Sequence, residues 1–183
     1  MFAANVSLPN RQAIPLVPPI LAAGLRSVPP SLVSATVTRF TRCLLKRHPA
    51  VLDRLGEFRR CCFAVVATDI PLCFLIDLRG GGRVALAPAD TPADARISGP
   101  LAALIGMVQG VWDGDALFFS RDLTVEGDTA AVLALRNAID ATEVDFGAEV
   151  AALCGPLNPL AVVALRQAAR LTGVPFFRPR EGR

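Results

Sequence analysis

Four apolar side chains, Val33, Val37, Phe40 and Leu44, recur at helical spacing near the start of the chain and predict a helix over roughly 32–47. Ser31 opens it, and His48-Pro49 closes it, because the residue before a proline is pushed out of the helical region. The period then drops to two. Residues 58–67 are rich in apolar side chains, Leu72, Phe74, Ile76 and Leu78 alternate, and Val84 and Leu86 alternate within 83–87. Thr68-Asp69-Ile70-Pro71 and Gly80-Gly81-Gly82 turn the chain between these runs, which predicts three antiparallel strands in series. After a polar loop over 88–92, residues 95–98 read as a short fourth strand. Gly99-Pro100 then opens a helix from Leu101 to Gln109, with Leu101, Leu104, Ile105 and Val108 on its apolar face.

Residues 113–140 continue the alternation of elements. Asp113-Gly114-Asp115 has turn chemistry. From Ser120 to Glu126 the pattern alternates, with Arg121, Leu123 and Val125 on one side, so a fifth strand is expected there. Gly127 breaks it and Asp128 is typed as an N-cap. Val132, Leu135, Ala138 and Ile139 form the buried stripe of the next helix, and Leu133 broadens its apolar surface. Two further helices, 149–154 and 159–172, are separated by Gly155-Pro156. The expected fold class is α+β: a single, antiparallel-type sheet of about five strands covered by helices. The chain divides into a Pro-rich apolar arm over 1–31, a domain over 32–141, and a helical extension with an Arg-rich tail over 142–183. The arm reads as a poor helix and a poor strand, suited to lie on the body, a partner or a membrane surface. The tail from Arg178 to Arg183 reads as disordered.

Composition narrows the function classes. The 183 residues carry a formal charge of only +3, too weak to indicate nucleic acid. A 52% apolar fraction and a mean hydropathy of +0.46 point to apolar surface serving a cavity or a partner. The Pro-interrupted stretch from Ala13 to Leu25 is too short to span a bilayer and lacks the basic start of a signal peptide. Arg39, Arg42 and Lys46 share a face of the first helix, with Arg47 adjoining, which is either a solvated basic face or one that meets anionic headgroups.

Candidate chemistry is sparse. Cys43, Cys61, Cys62, Cys73 and Cys154 are odd in number and contain no C-x-x-C pair, so neither a disulfide framework nor a zinc site is expected, and reduced thiols of a cytoplasm fit. His48 is the only histidine and has no catalytic partner nearby in sequence. The acids Asp113, Asp115, Asp122, Glu126 and Asp128 are read as turn, strand and cap residues in preference to a metal or acid/base cluster. The glycine run joins two strands, where it cannot act as a phosphate loop.

Several runs resemble the sterol carrier protein type 2 family, and within it the accessory factors of ubiquinone biosynthesis. They are Thr68–Leu72, Asp113-Gly114-Asp115, Leu117–Leu123, Val125–Thr129 and Leu133–Asp140, with the stretch Phe118–Asp140 the most specific. The resemblance spans residues 32–140. It implies a sheet and helices enclosing an apolar tunnel for a lipid tail, in a non-catalytic cytoplasmic protein of bacterial ubiquinone synthesis by its oxygen-independent route. No catalytic motif, cofactor or metal is implied. The implied partners are prenylated quinone intermediates or phospholipids, peptidase-U32-like hydroxylation proteins and other ubiquinone-synthesis proteins. Peripheral membrane contact and self-association remain open.

The expected tunnel wall is Phe63, Phe74, Ile76, Leu101, Leu104, Ile105, Val108, Trp112, Leu117, Phe118 and Phe119, each with ordinary core packing as its alternative role. Arg121, on the apolar side of its expected strand, either pairs with an acid or meets a lipid headgroup at the mouth. The competing readings are an assembly scaffold without cargo and, lacking a nucleophile–base pair, a thiol or acid/base enzyme.

Overall fold

The computed structural model describes residues 13–25, 27–142 and 144–178. The first 12 residues of the arm and the tail from Pro179 to Arg183 lie outside the described residues.

Five strands form one sheet: β1 (Cys62–Ala67), β2 (Leu72–Asp77), β3 (Arg83–Ala87), β4 (Ala95–Gly99) and β5 (Thr124–Gly127), in the order β3-β2-β1-β4-β5. The first three run antiparallel, as the turn chemistry predicts. β4 does not extend that meander. It pairs parallel to β1, with Phe63 opposite Ala95 and Ala67 opposite Gly99, so the sheet is mixed and not purely antiparallel. The cause lies in the link 88–94, which returns the chain across the outer face of the sheet to the level where β1 begins. Arg96, on that outer face, holds the link by donating from Nη2 to the Thr91 carbonyl at 2.6 Å and from Nη1 to the Ala89 carbonyl. Asp94 accepts from the Cys62 amide at 2.7 Å.

Register fixes the two faces. Phe63, Val65, Phe74, Ile76, Val84, Ile97 and Val125 all point to the inner face. The helices α2 (Pro30–Arg47), α3 (Ala50–Leu55), α4 (Leu101–Val108) and α6 (Thr129–Asp140) pack there. Two buried clusters result. One joins Leu45, Val51, Leu55, Phe63, Ala131 and Ala138; the other joins Ala67, Ile97, Ala102, Ala103, Leu104 and Leu123.

The remaining described helices are α1 (Pro19–Leu25), α5 (Gly114–Phe119), α7 (Phe146–Leu153) and α8 (Asn158–Thr172). Three elements depart from the sequence reading. The 3-10 turn Gly56–Arg60 occupies the start of the first strand expected over 58–67: Gly56 at φ +53° ends α3, the turn follows, and the strand begins only at Cys62. α1 forms within the Pro-rich arm, where Pro15 and Pro18 precede the helix and Pro19 takes its first position, where no amide is needed. The C-terminal turn of α5 takes up the N-terminal half of the expected fifth strand, which shrinks to Thr124–Gly127.

The described part of the arm lies on the body. Val17 and Ala22 are buried with Val174 in the second cluster. Asp69, in the first turn, accepts from the Val17 amide at 2.9 Å and from the Leu101 amide at 2.8 Å. One carboxylate thus fastens the arm and caps α4, whose own N-cap, Pro100, offers no side-chain acceptor.

Candidate functional site

Between the two clusters the inner face encloses a cavity of about 420 Å³. That size falls within the range of small-ligand sites. Its floor is the sheet, through Val65, Ile76, Ile97 and Val125. α2 contributes Phe40, Thr41, Leu44 and Leu45, and α4 contributes Leu104, Ile105, Met107 and Val108. α6 contributes Val132, Leu135 and Ile139, and the start of α7 closes one end with Val144 and Phe146. Phe40 and Phe146 meet with ring centroids 5.1 Å apart, joining α2 to α7.

The charged side chains in this wall gather at one rim, between α5 and α6. Arg136 reaches Asp115 at 2.5 Å, Asp113 at 3.3 Å and Asp140 at 3.5 Å. Partial burial pulls the Arg136 pKa down, but the hydrogen bond to Asp115 and the charges of Asp140 and Asp113 outweigh it, and the guanidinium is held above its ordinary value. Gly114 lets this clamp close: a Cβ there would sit 2.9 Å from the Arg136 Cζ. Phe118 and Leu133 line the same opening while remaining 51% and 54% exposed, so they form its apolar lip.

The eleven residues expected in the wall separate. Ile76, Leu104, Ile105, Val108 and Phe118 line the cavity. Phe63 and Phe74 point to the inner face but lie outside the lining; Phe63 is fully buried under α3 and α6. Leu101 and Leu117 pack in the second cluster. Trp112 folds back onto Gly106, where any Cβ would collide with its ring. Phe119 is 82% exposed beside Phe118.

Arg121 does not lie on the apolar side of a strand. It sits exposed at φ +63°, immediately after α5. Its amide donates to the Phe118 carbonyl at 3.1 Å, and the Asp122 amide donates to the Leu117 carbonyl at 3.0 Å. Those two bonds are a Schellman C-cap, with arginine at the left-handed position that glycine usually takes. The alternation that suggested a strand is real only for Leu123 and Val125.

The acids also find their places. Asp113 caps α5 by accepting from the Asp115 amide, and Asp128 caps α6 by accepting from the Ala131 amide. Among the described residues no group of His, Cys, Asp or Glu is arranged to hold a metal ion. Burial, with Asp94 and other acids nearby, pushes the Cys61 and Cys62 thiols up. Burial also raises Cys73, against the pull of Arg96. Raised thiols are poor nucleophiles. His48 is bonded to Glu149 at 3.3 Å, beside the Arg47–Glu149 ion pair at 2.9 Å, and lies outside the cavity wall.

Sequence reasoning missed the contributions of α2 and of residues 144–146. The stripe Phe40 and Leu44 was the available signal for α2. Nothing local marks Val144 as wall.

The sequence model of the SCP-2 sterol transfer family matches residues 42–140, more than half of the chain. The chain belongs to that family. The fold is similar to a solved structure described as a UbiJ-SCP2 ubiquinone synthesis protein, with a TM-score of 0.52 and 19% identity over 64% of this chain and 97% of that one. It also matches the apo sterol carrier protein 2 of Yarrowia lipolytica, at a TM-score of 0.45 and 13% identity over 62% of this chain and 91% of that one. A sterol carrier protein domain of Helicoverpa armigera matches at 0.45 and 14%, over 59% and 88%. No curated protein matches the sequence. The α+β fold with a mixed five-stranded sheet is therefore the SCP2 fold. Among the described residues, no helix is long and apolar enough to cross a membrane.

Proposed function

We propose that the cavity holds the hydrocarbon chain of a lipid, and that the protein is a non-catalytic lipid-binding accessory factor of ubiquinone biosynthesis. The observation that carries the reading is the cavity itself. It is carbon-lined through α2, α4, α6 and the sheet, and it opens beside Phe118 and Leu133 at a single charged rim. A prenyl or acyl tail suits the interior, and the rim suits a polar head left in water. Each buried isoprene unit contributes about 4 kcal/mol, so roughly two units give micromolar-scale retention before association costs, with no covalent step.

The assignment to ubiquinone synthesis is supported by the resemblance of Phe118–Asp140 to that subfamily and by the likeness in fold to the UbiJ-SCP2 protein. On this reading the protein works in a bacterial cytoplasm on the oxygen-independent route. It presents prenylated intermediates to peptidase-U32-like hydroxylation proteins and other enzymes of the pathway.

Native mass spectrometry of the protein purified from cells tests lipid binding. Phospholipid or prenyl quinone should accompany it at near-stoichiometric amounts. Ile105→Trp, which fills the cavity from the α4 wall, should remove that load from a folded protein. A wild-type protein that arrives empty would sink the reading, as would an unchanged load in the folded variant. Quinone content of a deletion strain grown with and without oxygen tests the pathway: a normal anaerobic ubiquinone pool would remove the pathway assignment and leave lipid binding standing.

A further inference from the structure

The outward side of α8 has no counterpart in the cavity. Its inward residues Ala161, Val162, Leu165, Ala168 and Ala169 are all partly buried against the body. Its outward residues Leu160, Val163, Ala164, Gln167 and Leu171 fall at helical spacing on a second face, and that face is also apolar apart from Gln167. Leu160 is 68% exposed, Val163 56% and Leu171 66%, and Leu157, in the turn before the helix, extends the stripe at 60%. A helix that is apolar on both sides belongs between two apolar surroundings, and the fold supplies only one. None of the α8 residues reaches full burial.

The charges along the segment that carries the stripe have one sign. Residues 150–178 contain Arg166, Arg170 and Arg178 and neither Asp nor Glu. Arg166 and Arg170 border the stripe on one side, and Arg166 is steadied over the Phe177 ring at 5.9 Å. The arm extends the surface. Gly173, the C-cap of α8, lies against Pro15, where a Cβ would collide with the proline ring. The following arm residues Leu16 and Ile20 are 62% and 81% exposed. The described arm and α2 are also free of acids, from residue 13 to 52. An apolar stripe bordered by Arg166 and Arg170, on a segment without acids, repels a second copy of itself. It matches the interface of an anionic bilayer, where apolar side chains enter the acyl boundary and guanidinium groups meet phosphates.

We propose that α8, with the adjoining arm residues Leu16 and Ile20, is an in-plane docking surface for anionic phospholipid membrane. The surface is separate from the cavity, so docking and cargo can be measured apart. The full chain should float with vesicles of phosphatidylcholine mixed with phosphatidylglycerol, and much less with phosphatidylcholine alone. Leu160→Glu, Val163→Glu and Leu171→Glu combined should reduce binding by roughly a hundredfold. The replaced side chains point to water, so the far-ultraviolet spectrum, melting temperature and lipid load should be unchanged. Arg166→Gln with Arg170→Gln should weaken flotation about fivefold per arginine on the anionic vesicles only.

The proposal is overturned if the wild-type protein floats with neither vesicle, or if the triple variant floats as well as wild type. It is equally overturned if the arginine pair changes nothing, or if wild type is a dimer that the triple variant makes monomeric. Flotation of a protein that carries no lipid would leave docking in place and remove the cavity reading; a loaded protein that does not float would do the reverse.

Discussion

Gln109 is the side chain whose replacement should test most of the architecture at once. It stands at the end of α4, fully buried at 0% exposure, the one buried polar residue among those described. Its amide nitrogen donates to the Phe176 carbonyl, and its amide oxygen accepts from the Phe146 amide at 3.3 Å. It therefore ties α4 to the segment after α8 and to the first turn of α7, which closes the cavity with Phe146. Gln109→Leu keeps the volume and removes both bonds; the Phe176 carbonyl keeps the Gly147 amide as donor at 2.7 Å, while the Phe146 amide is left without a partner. The unsatisfied Phe146 amide costs about 1–3 kcal/mol and the lost bond to Phe176 about 1 kcal/mol more, and since Phe146 is itself only half-buried the total should be about 2–3 kcal/mol. For a chain of this size that corresponds to a fall of roughly 5–10 °C in melting temperature. Gln109→Glu gives a second readout. A buried carboxyl among apolar neighbours has its folded pKa raised above the unfolded value near 4.3. Protonated, it can still donate to Phe176; ionised, it cannot. Its cost relative to wild type should be small below the unfolded pKa and grow as pH rises through the raised folded pKa. Thermal melts across pH, with lipid retention measured beside them, check both variants. A Gln109→Leu protein that melts within a degree or two of wild type would refute the reasoning, because the bonds would then be contributing nothing.

Asp69→Ala should cost about 1–2 kcal/mol by uncapping α4, and amide exchange at Val17 should accelerate as the arm loosens; an unchanged Val17 rate would show that Asp69 does not hold the arm. Gly106→Ala forces the Trp112 ring off α4, at a cost of about 1–3 kcal/mol. Trp112 is the only tryptophan, so its emission should shift to the red in a folded variant, and an unshifted spectrum would place the ring elsewhere.

What the sequence made legible was local. The alternation in β2 and β3, the glycine hairpin between them, the stripes of α4 and α6 and the Asp128 cap all follow from spacing and are present as read. The errors arose where two patterns coincide or where a choice is made at a distance. Arg121, Leu123 and Val125 alternate by accident of a helix cap: α5 ends at Phe119, its Schellman turn takes up Arg121 and Asp122, and only the last residues extend. β4 chose β1 as its neighbour, which depends on the path of the link 88–94 and on Arg96 holding it, and no periodicity in β4 encodes that. The wall residues illustrate the same limit. Of the five aromatic residues expected in the wall, Phe63 and Trp112 are spent on packing, while Val65, Ile97 and Val144 line the cavity because of what stands opposite them.

α2 shows how one helix meets two demands whose signals overlap in sequence. Toward the cavity it presents Phe40 and Leu44. Toward β3, an edge strand, it presents Ser34, Thr38 and Arg42, spaced four apart. Thr38 exchanges hydrogen bonds with both the amide and the carbonyl of Val84, at 2.9 and 2.8 Å. Ser34 accepts from the Leu86 amide at 3.0 Å, and Arg42 donates to the Gly82 carbonyl at 3.0 Å. An open edge invites pairing with another chain, and these side chains occupy the groups that such pairing would use. The basic face expected from Arg39, Arg42 and Lys46 is therefore only partly a solvated one, since Arg42 is committed to the strand. The same helix that closes the sheet edge walls the cavity, so a substitution that shifts α2 along β3 should disturb both together. Self-association by strand addition at β3 is closed by this arrangement, whereas the apolar face of α8 stays exposed.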